Sequence, residues 1–303
     1  MNAKERTKKW SNIQTPRILL ENSAKSDVKV LNNCVRILPF NMSGNGLQTI
    51  TDVERKEKPC ELSVVCINNN DDVLNRFLIP SIQKQVDVKY ELIIIDNKEN
   101  HYKGARTAFN EVIKDLKGEY VVFVHNDFCF SDVNAFQQID YYCKKLKPFG
   151  VIGLAGCGFD YKNLIMTRIK QGIDKRAVGV LIDKPMPVMS VDECCFIIRK
   201  SQINAMPFID KNGWHLYAVE YCLKMLDCGL HNYVIPIEGW HYSDGVSLNS
   251  SYCDEIKELL KKYSNKYDYI NTTVKQWRTG FFTREVYLRY YAIKQKIKRL
   301  VKK

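Results

Sequence analysis

The chain lacks any stretch of about 18 uninterrupted apolar residues, so no membrane-spanning helix is expected. Its opening, MNAKERTKKWSNIQTPRILLEN, is basic but has no apolar core, so no signal peptide is expected. The 11 cysteines are an odd number and show none of the paired spacing of a zinc site. Several sit in apolar runs (Cys66 in LSVVCI, Cys195 in CCFII, Cys222 in YCLKML), which reads as buried free thiols in a reducing compartment. There is no internal repeat and no low-complexity tract. What is present is size and balance: 303 residues, 45% hydrophobic and 26% charged. That excludes a wholly disordered or collagen-like chain and allows a large core without disulfide staples.

The net charge of +12 is unevenly spread. Residues 271–303 carry ten Lys/Arg against one acid, and residues 1–60 carry eleven against six. Residues 61–270 carry 25 against 27, so the body is nearly neutral. A nucleic-acid-binding body would be basic across a face, and no nucleic-acid partner is expected. A basic terminus points to a membrane surface, an acidic partner or plain solvation.

Three segments organise the chain. Residues 1–58 form an N-terminal extension whose VKVLNNCVRILPF suggests one or two strands, followed by a turn at NMSGNG and a charged linker. Residues 59–250 form the main body. LSVVCI (62–67), ELIIID (91–96) and YVVFV (120–124) are continuous apolar runs of the kind a strand covered on both faces needs. Helical spacing lies between them, with Pro80 expected to kink or divide the first helix and Gly104 opening the second. Strand–helix–strand–helix–strand means an α/β fold with a mostly parallel sheet and right-handed crossovers. A helix is expected at 132–146, strands at 150–156, 191–200 and 231–237, a loop-rich segment with room for a hairpin at 157–190, and a helix at 217–228 capped by Gly229. Residues 251–303 are read as a basic helical tail. From Asn271 it is expected to be an amphipathic helix with Val286, Tyr290, Ile293, Ile297 and Leu300 along one face.

Parallel sheets bind ligands at the carboxyl ends of their strands. Asn68–Asn70, Asp96-Asn97 and His125–Asp127 all fall at such ends. A carboxylate there, Asp127, can hold a divalent cation that neutralises phosphate charge, and a histidine arriving late in the chain, His241, can complete the shell. Mg2+ prefers oxygen ligands, whereas Mn2+ accepts imidazole more readily, so this pair leans toward Mn2+.

The order LSVVCINNN, IIIDN, GEYVVFVHND, a Trp-led helix and WHYSDG resembles the GT-A glycosyltransferases, closest to the family-2-like bacterial enzymes that build surface polysaccharides. The resemblance covers about residues 60–245. It implies a GT-A, Rossmann-like sheet flanked by helices. It also implies transfer of a sugar from a nucleotide-diphosphate donor, often a UDP-sugar, to a hydroxyl on a saccharide or lipid-linked acceptor. On that basis Asn68, Asn69, Asp96, Arg106, Asn126 and Asp127 would hold the nucleotide-sugar, and Asp127 and His241 a Mn2+ or Mg2+ ion. Trp214 and Tyr217 would meet the acceptor.

Two departures stand out. His125 occupies the first acidic position of the metal motif. Ala218 occupies the place where many inverting relatives carry the Asp that deprotonates the acceptor. Glu220 and Asp192, or its neighbour Glu193, are the carboxylates left to serve, and inversion is the expected outcome. The residues also allow plainer roles. Glu220 and Lys224 have the spacing of a surface ion pair, Asp192 could cap a loop, and Trp214 could be core. The competing functions are a sugar nucleotidyltransferase, against which the acidic INNNDD counts, and a non-enzymatic membrane or nucleic-acid binder using the basic termini. The expected location is cytoplasmic, peripheral on the inner face of the cell membrane, docked on anionic lipid through 281–303.

Overall fold

The computed structural model describes residues 29–31, 34–37, 61–160, 162–243 and 250–301. The turn and linker expected at 41–58, the Asp244-Gly245 end of WHYSDG and the side chain of Leu300 lie outside the described residues.

Strands β1 (Lys29–Leu31) and β2 (Cys34–Ile37) form a hairpin on the sheet edge. The three apolar runs become β3 (Leu62–Asn68), β4 (Tyr90–Asp96) and β5 (Tyr120–Val124). β3 lies between the other two and parallel to both, and in register Asn68 stands opposite Asp96. Both faces of β3 are covered, which is why its sequence is apolar throughout rather than alternating.

The first crossover is two short helices, α1 (Asp71–Arg76) and α2 (Leu78–Gln83). The Asn70 side chain caps α1 by accepting from the Val73 N–H at 3.1 Å. Pro80 sits in the first turn of α2, where a backbone N–H is not needed, so the division falls at Phe77. The second crossover is α3 (Ala105–Val112). Gly104 before it approaches Gly213 so closely that a Cβ would lie 2.7 Å from the Gly213 nitrogen.

After β5 come β6 (Phe128–Phe130), α4 (Ala135–Lys145), β7 (Ile152–Gly153) and β8 (Ala155–Cys157). The segment expected to be loop-rich holds short strands: β9 (Ile165–Thr167), β10 (Ile169–Gln171), β11 (Arg176–Ala177), β12 (Val180–Leu181) and β13 (Met186–Val188). Then follow β14 (Ser190–Val191), β15 (Cys195–Arg199), α5 (Lys200–Ala205), α6 (Tyr217–Asp227), β16 (Asn232–Val234) and β17 (Gly239–His241). Gly229, just past α6, has φ +75°, a left-handed conformation suited to a helix stop. The main sheet has nine strands in the order β1-β2-β4-β3-β5-β15-β7-β16-β13. Only β2, β15 and β13 run against the direction of the other strands, so the sheet is mostly parallel in orientation.

Successive β3 residues face opposite sides: Leu62, Val64 and Cys66 enter a core with Leu78, Phe136 and Ile139, and Val65 enters one with Phe109, Phe196 and Tyr221. A third core joins α6 to the C-terminal region. That region departs from the expected helical tail. It comprises α7 (Ser250–Tyr263), a hairpin of β18 (Tyr269–Asn271) and β19 (Gln276–Arg278), a π-helical turn at Thr283–Tyr287, and α8 (Leu288–Val301). Ile270 and Trp277 are fully buried by this hairpin, so the segment after Asn271 is part of the body before it becomes a helix.

Candidate active site

The strand-end clusters meet in one cleft of about 990 Å3, walled by Asn69, His125, Asn126, Asp127, Asp192, Glu193, Trp214, Tyr217 and His241 among others. Its floor is set by β3 and β5. Asn126 Nδ2 donates to Asn69 Oδ1 at 3.0 Å and lies 3.4 Å from Asn68 Oδ1. Asn68 is buried and also donates to Asp71 at 2.6 Å, so it braces the floor from behind. Asp96 is absent from the cleft wall. It accepts from the Lys98 N–H at 3.0 Å and pairs with the Lys98 ammonium at 3.2 Å, while its neighbour Asn97 lines the cleft.

A second, four-stranded sheet of β11-β10-β17-β6 carries His241 at the end of β17. β17 pairs antiparallel with β6, placing His241 opposite Phe128 and hence beside Asp127. His241 Nε2 lies 3.2 Å from Asp127 Oδ1, and the Ser243 N–H donates to Asp127 Oδ2 at 3.1 Å. His125 joins them: its ring centroid is 5.5 Å from that of His241, and one donor atom from each of His125, Asp127 and His241 falls within 4.8 Å of the others. Burial works to raise the Asp127 carboxyl, but the His241 hydrogen bond and charge outweigh it and hold it below the usual range. Burial works to lower His241, and Asp127 reverses that into a rise. Burial, aided by His241, pushes His125 down, so His125 is neutral with a lone pair to offer. Two imidazoles and one carboxylate fit a divalent ion that accepts nitrogen as well as oxygen. The position that breaks the expected acidic motif therefore supplies a ligand-type atom after all. The signal was visible as His-x-Asp at the end of a buried strand.

Two expected residues are placed elsewhere. Arg106 does not face the cleft. It is 1% exposed, with NH2 3.2 Å from Glu220 Oε2 and 3.0 Å from the His215 carbonyl, and NH1 3.1 Å from Glu255 Oε2. A buried guanidinium must be paired, and two carboxylates and a carbonyl pair it. Glu220 is thereby a buried counter-ion, also 3.2 Å from Lys262, rather than a surface partner of Lys224 or a group at the cleft wall. Glu255 of α7 could not be found from sequence, because its partner lies 149 residues away.

Trp214 is 38% exposed and lines the cleft. Tyr217 is mostly core, its ring packed near Phe109 and Phe196, and its hydroxyl lies 3.1 Å from His125 Nε2, so it orients His125 rather than offering a platform to an acceptor. Asp192 lines the cleft, accepts from the Cys194 N–H at 2.9 Å, and accepts from the Thr273 hydroxyl. Burial works to raise it, but Thr273, His241 and Cys194 together hold it below its ordinary value. Thr272, Thr273 and Val274 of the β18–β19 hairpin, with Tyr291 of α8, form a wall that no motif announced.

A curated protein of Fuscovulum blasticum described as "ATP synthase subunits region ORF 6" is 25% identical over 230 residues, covering 70% of this chain and 88% of its own. Among solved structures, GalNAc-T7 with UDP, GalNAc and Mn2+ is similar with a TM-score of 0.48 at 11% identity, over 81% of this chain. S. aureus TarS 1-349 in complex with UDP-GlcNAc is similar at 0.48 and 13%, over 68% of this chain. This chain spans 58% and 66% of those two structures. The model described as "Glycosyltransferase like family" matches residues 63–263, two thirds of the chain, and the protein belongs to that family.

Proposed function

We propose that the protein moves a sugar from a nucleoside-diphosphate donor, taken as a UDP-sugar, to an acceptor hydroxyl, with inversion at the anomeric carbon. The observation that carries this reading is the grouping of His125, Asp127 and His241 at the end of β5, inside the cleft of a glycosyltransferase-like chain. These three residues would hold a divalent ion, with Mn2+ favoured by the two imidazoles. Such an ion, when bound, supplies positive charge opposite the departing diphosphate. Asn69 and Asn126 would orient the donor at the strand ends, Asn68 bracing them from behind. Tyr217 hydrogen-bonds the His125 ring, and the Thr272–Val274 wall would help shield the reacting carbon from water.

The acceptor is proposed to be a saccharide carried on a lipid. Phe281 and Phe282 are each 70% exposed, and Val286, Tyr290, Ile293 and Ile297 continue an exposed apolar face. Arg284, Arg289 and Lys294 lie in the same segment, which suits reversible docking on the anionic inner face of a cell membrane. α8 carries Tyr290, Ile293 and Ile297 of this face and Tyr291 of the cleft wall, so docking would bring the cleft to the lipid surface.

Thermal shift with UDP and UDP-sugars, with and without Mn2+, tests the donor. Stabilisation should need both nucleotide and metal and be lost in Asp127→Ala. Stabilisation of the variant equal to that of the wild type would overturn the reading.

A further inference from the structure

Inversion requires a group to take the acceptor proton, and of the three carboxylates named from the sequence, Glu220 and Asp192 are engaged. Glu220 is locked against Arg106 and Lys262, off the cleft wall. Asp192 has one oxygen bound by the Cys194 N–H and the other by the Thr273 hydroxyl, and is held acidic by them. Such a carboxylate is a weak proton acceptor.

Glu193 differs on each count. It sits in the turn between β14 and β15 and lines the cleft. Its Oε1 is buried and has no hydrogen-bond partner. The N–H of Ala218, in the first turn of α6, reaches its carboxyl. Glu193 therefore stands at the helix turn where Ala218 leaves no carboxylate of its own. The charged groups around it are Asp192 on the same turn, Arg106 on α3 and Glu255 on α7. Burial first, and Asp192 second, push the Glu193 carboxyl up to about 8, against the pull of Arg106. A base whose pKa lies near working pH is the efficient kind.

We propose that Glu193 is the general base. Its carboxylate accepts the proton of the acceptor hydroxyl as that oxygen bonds to the anomeric carbon. The bond from the anomeric carbon to the diphosphate oxygen breaks, and its electron pair leaves with the diphosphate. This rests on the inverting transfer proposed above.

The test uses the full chain with Mn2+, UDP-glucose or UDP-N-acetylglucosamine as donor, and methanol as surrogate acceptor, because a methyl glycoside does not mutarotate. NMR reads the anomer, and UDP release reads the rate. Wild type should give the β-glycoside, with a rate that climbs as pH rises through the Glu193 titration. Glu193→Gln should lose transfer by roughly 10²-fold or more, lose that rising limb, and bind UDP with Mn2+ within threefold of wild type. Glu193→Asp should keep part of the rate.

A second readout is independent of turnover. A carboxyl raised in the folded state favours folding below its unfolded value and loses that benefit as pH rises through its folded value. The melting temperature of Glu193→Gln relative to wild type should therefore increase between pH 5 and pH 9. If Glu193→Gln transfers within threefold of an inverting wild type, the base is elsewhere while the transfer reading stands. Retention in the wild type, or no glycoside from either donor, overturns that reading and the base together.

Discussion

Replacing Arg106 by Met separates a structural role from a nucleotide-binding one. The guanidinium is 1% exposed and holds two acidic side chains, Glu220 from α6 and Glu255 from α7, at 3.2 and 3.1 Å. Met fills much of the volume but leaves two carboxylates buried without their counter-ion. Removing one partner of a buried pair costs about 3–5 kcal/mol. At roughly 2.1 cal/mol/K of unfolding entropy per residue, a chain of 303 residues carries about 0.6 kcal/mol/K, so the midpoint should fall by about 5–8 °C. Burial already raises Glu255 despite Arg106. Without Arg106 the folded Glu255 carboxyl rises further, and stability drains as pH climbs, so the loss should be larger at pH 8 than at pH 5. Circular dichroism melts at both pH values measure it, beside calorimetric titration of UDP with Mn2+. Adding Glu220→Gln and Glu255→Gln should restore most of the midpoint, and UDP affinity should stay within threefold. A midpoint unchanged by Arg106→Met, or UDP binding lost while the midpoint holds, would refute the buried-pair argument.

Further outcomes follow from other parts of the molecule. Asp127→Asn should cut Mn2+-dependent UDP affinity at least tenfold while leaving the melting temperature in EDTA within about 2 °C, since Asp127 is the single carboxylate of its triad. Phe281→Ser with Phe282→Ser should reduce co-sedimentation with phosphatidylglycerol-containing vesicles at least tenfold, because each ring inserted in the interface is worth on the order of 1.5–3 kcal/mol. Equal sedimentation of variant and wild type would exclude that face. Gly118→Ala should destabilise by about 1–3 kcal/mol in urea unfolding, since its Cβ would lie 2.3 Å from the Ser63 nitrogen in the β3–β5 layer.

The central strands were legible because burial on both faces writes itself as unbroken β-branched runs, and the polar residues at their ends pointed to the cleft. His241 and Asp127 were legible only through the order of motifs, since nothing local says that β17 lies beside β6. The Arg106 network was not legible. Spacing patterns report neighbours on one helix, whereas this network ties three helices across a long loop of chain. The C-terminal stripe misled in a specific way. Val286, Tyr290 and Ile293 do keep helical spacing on an exposed face, but a helix beginning at Asn271 would cover residues that form a β-hairpin. The hairpin is short, and its buried Trp277 sits among charged and polar residues that carry no strand signature.

The wall formed by Thr272–Val274 and Tyr291 has a temporal meaning. A nascent polypeptide emerging from the ribosome can complete the whole nine-stranded scaffold, with the two histidines and the aspartate assembled, before that wall has been synthesised. Such an intermediate has a trench open to solvent and an Asp192 still waiting for the Thr273 hydroxyl. Sugar-nucleotide spent there would be lost to water, so a closed cleft arrives with the same stretch of chain that bears the exposed aromatic face.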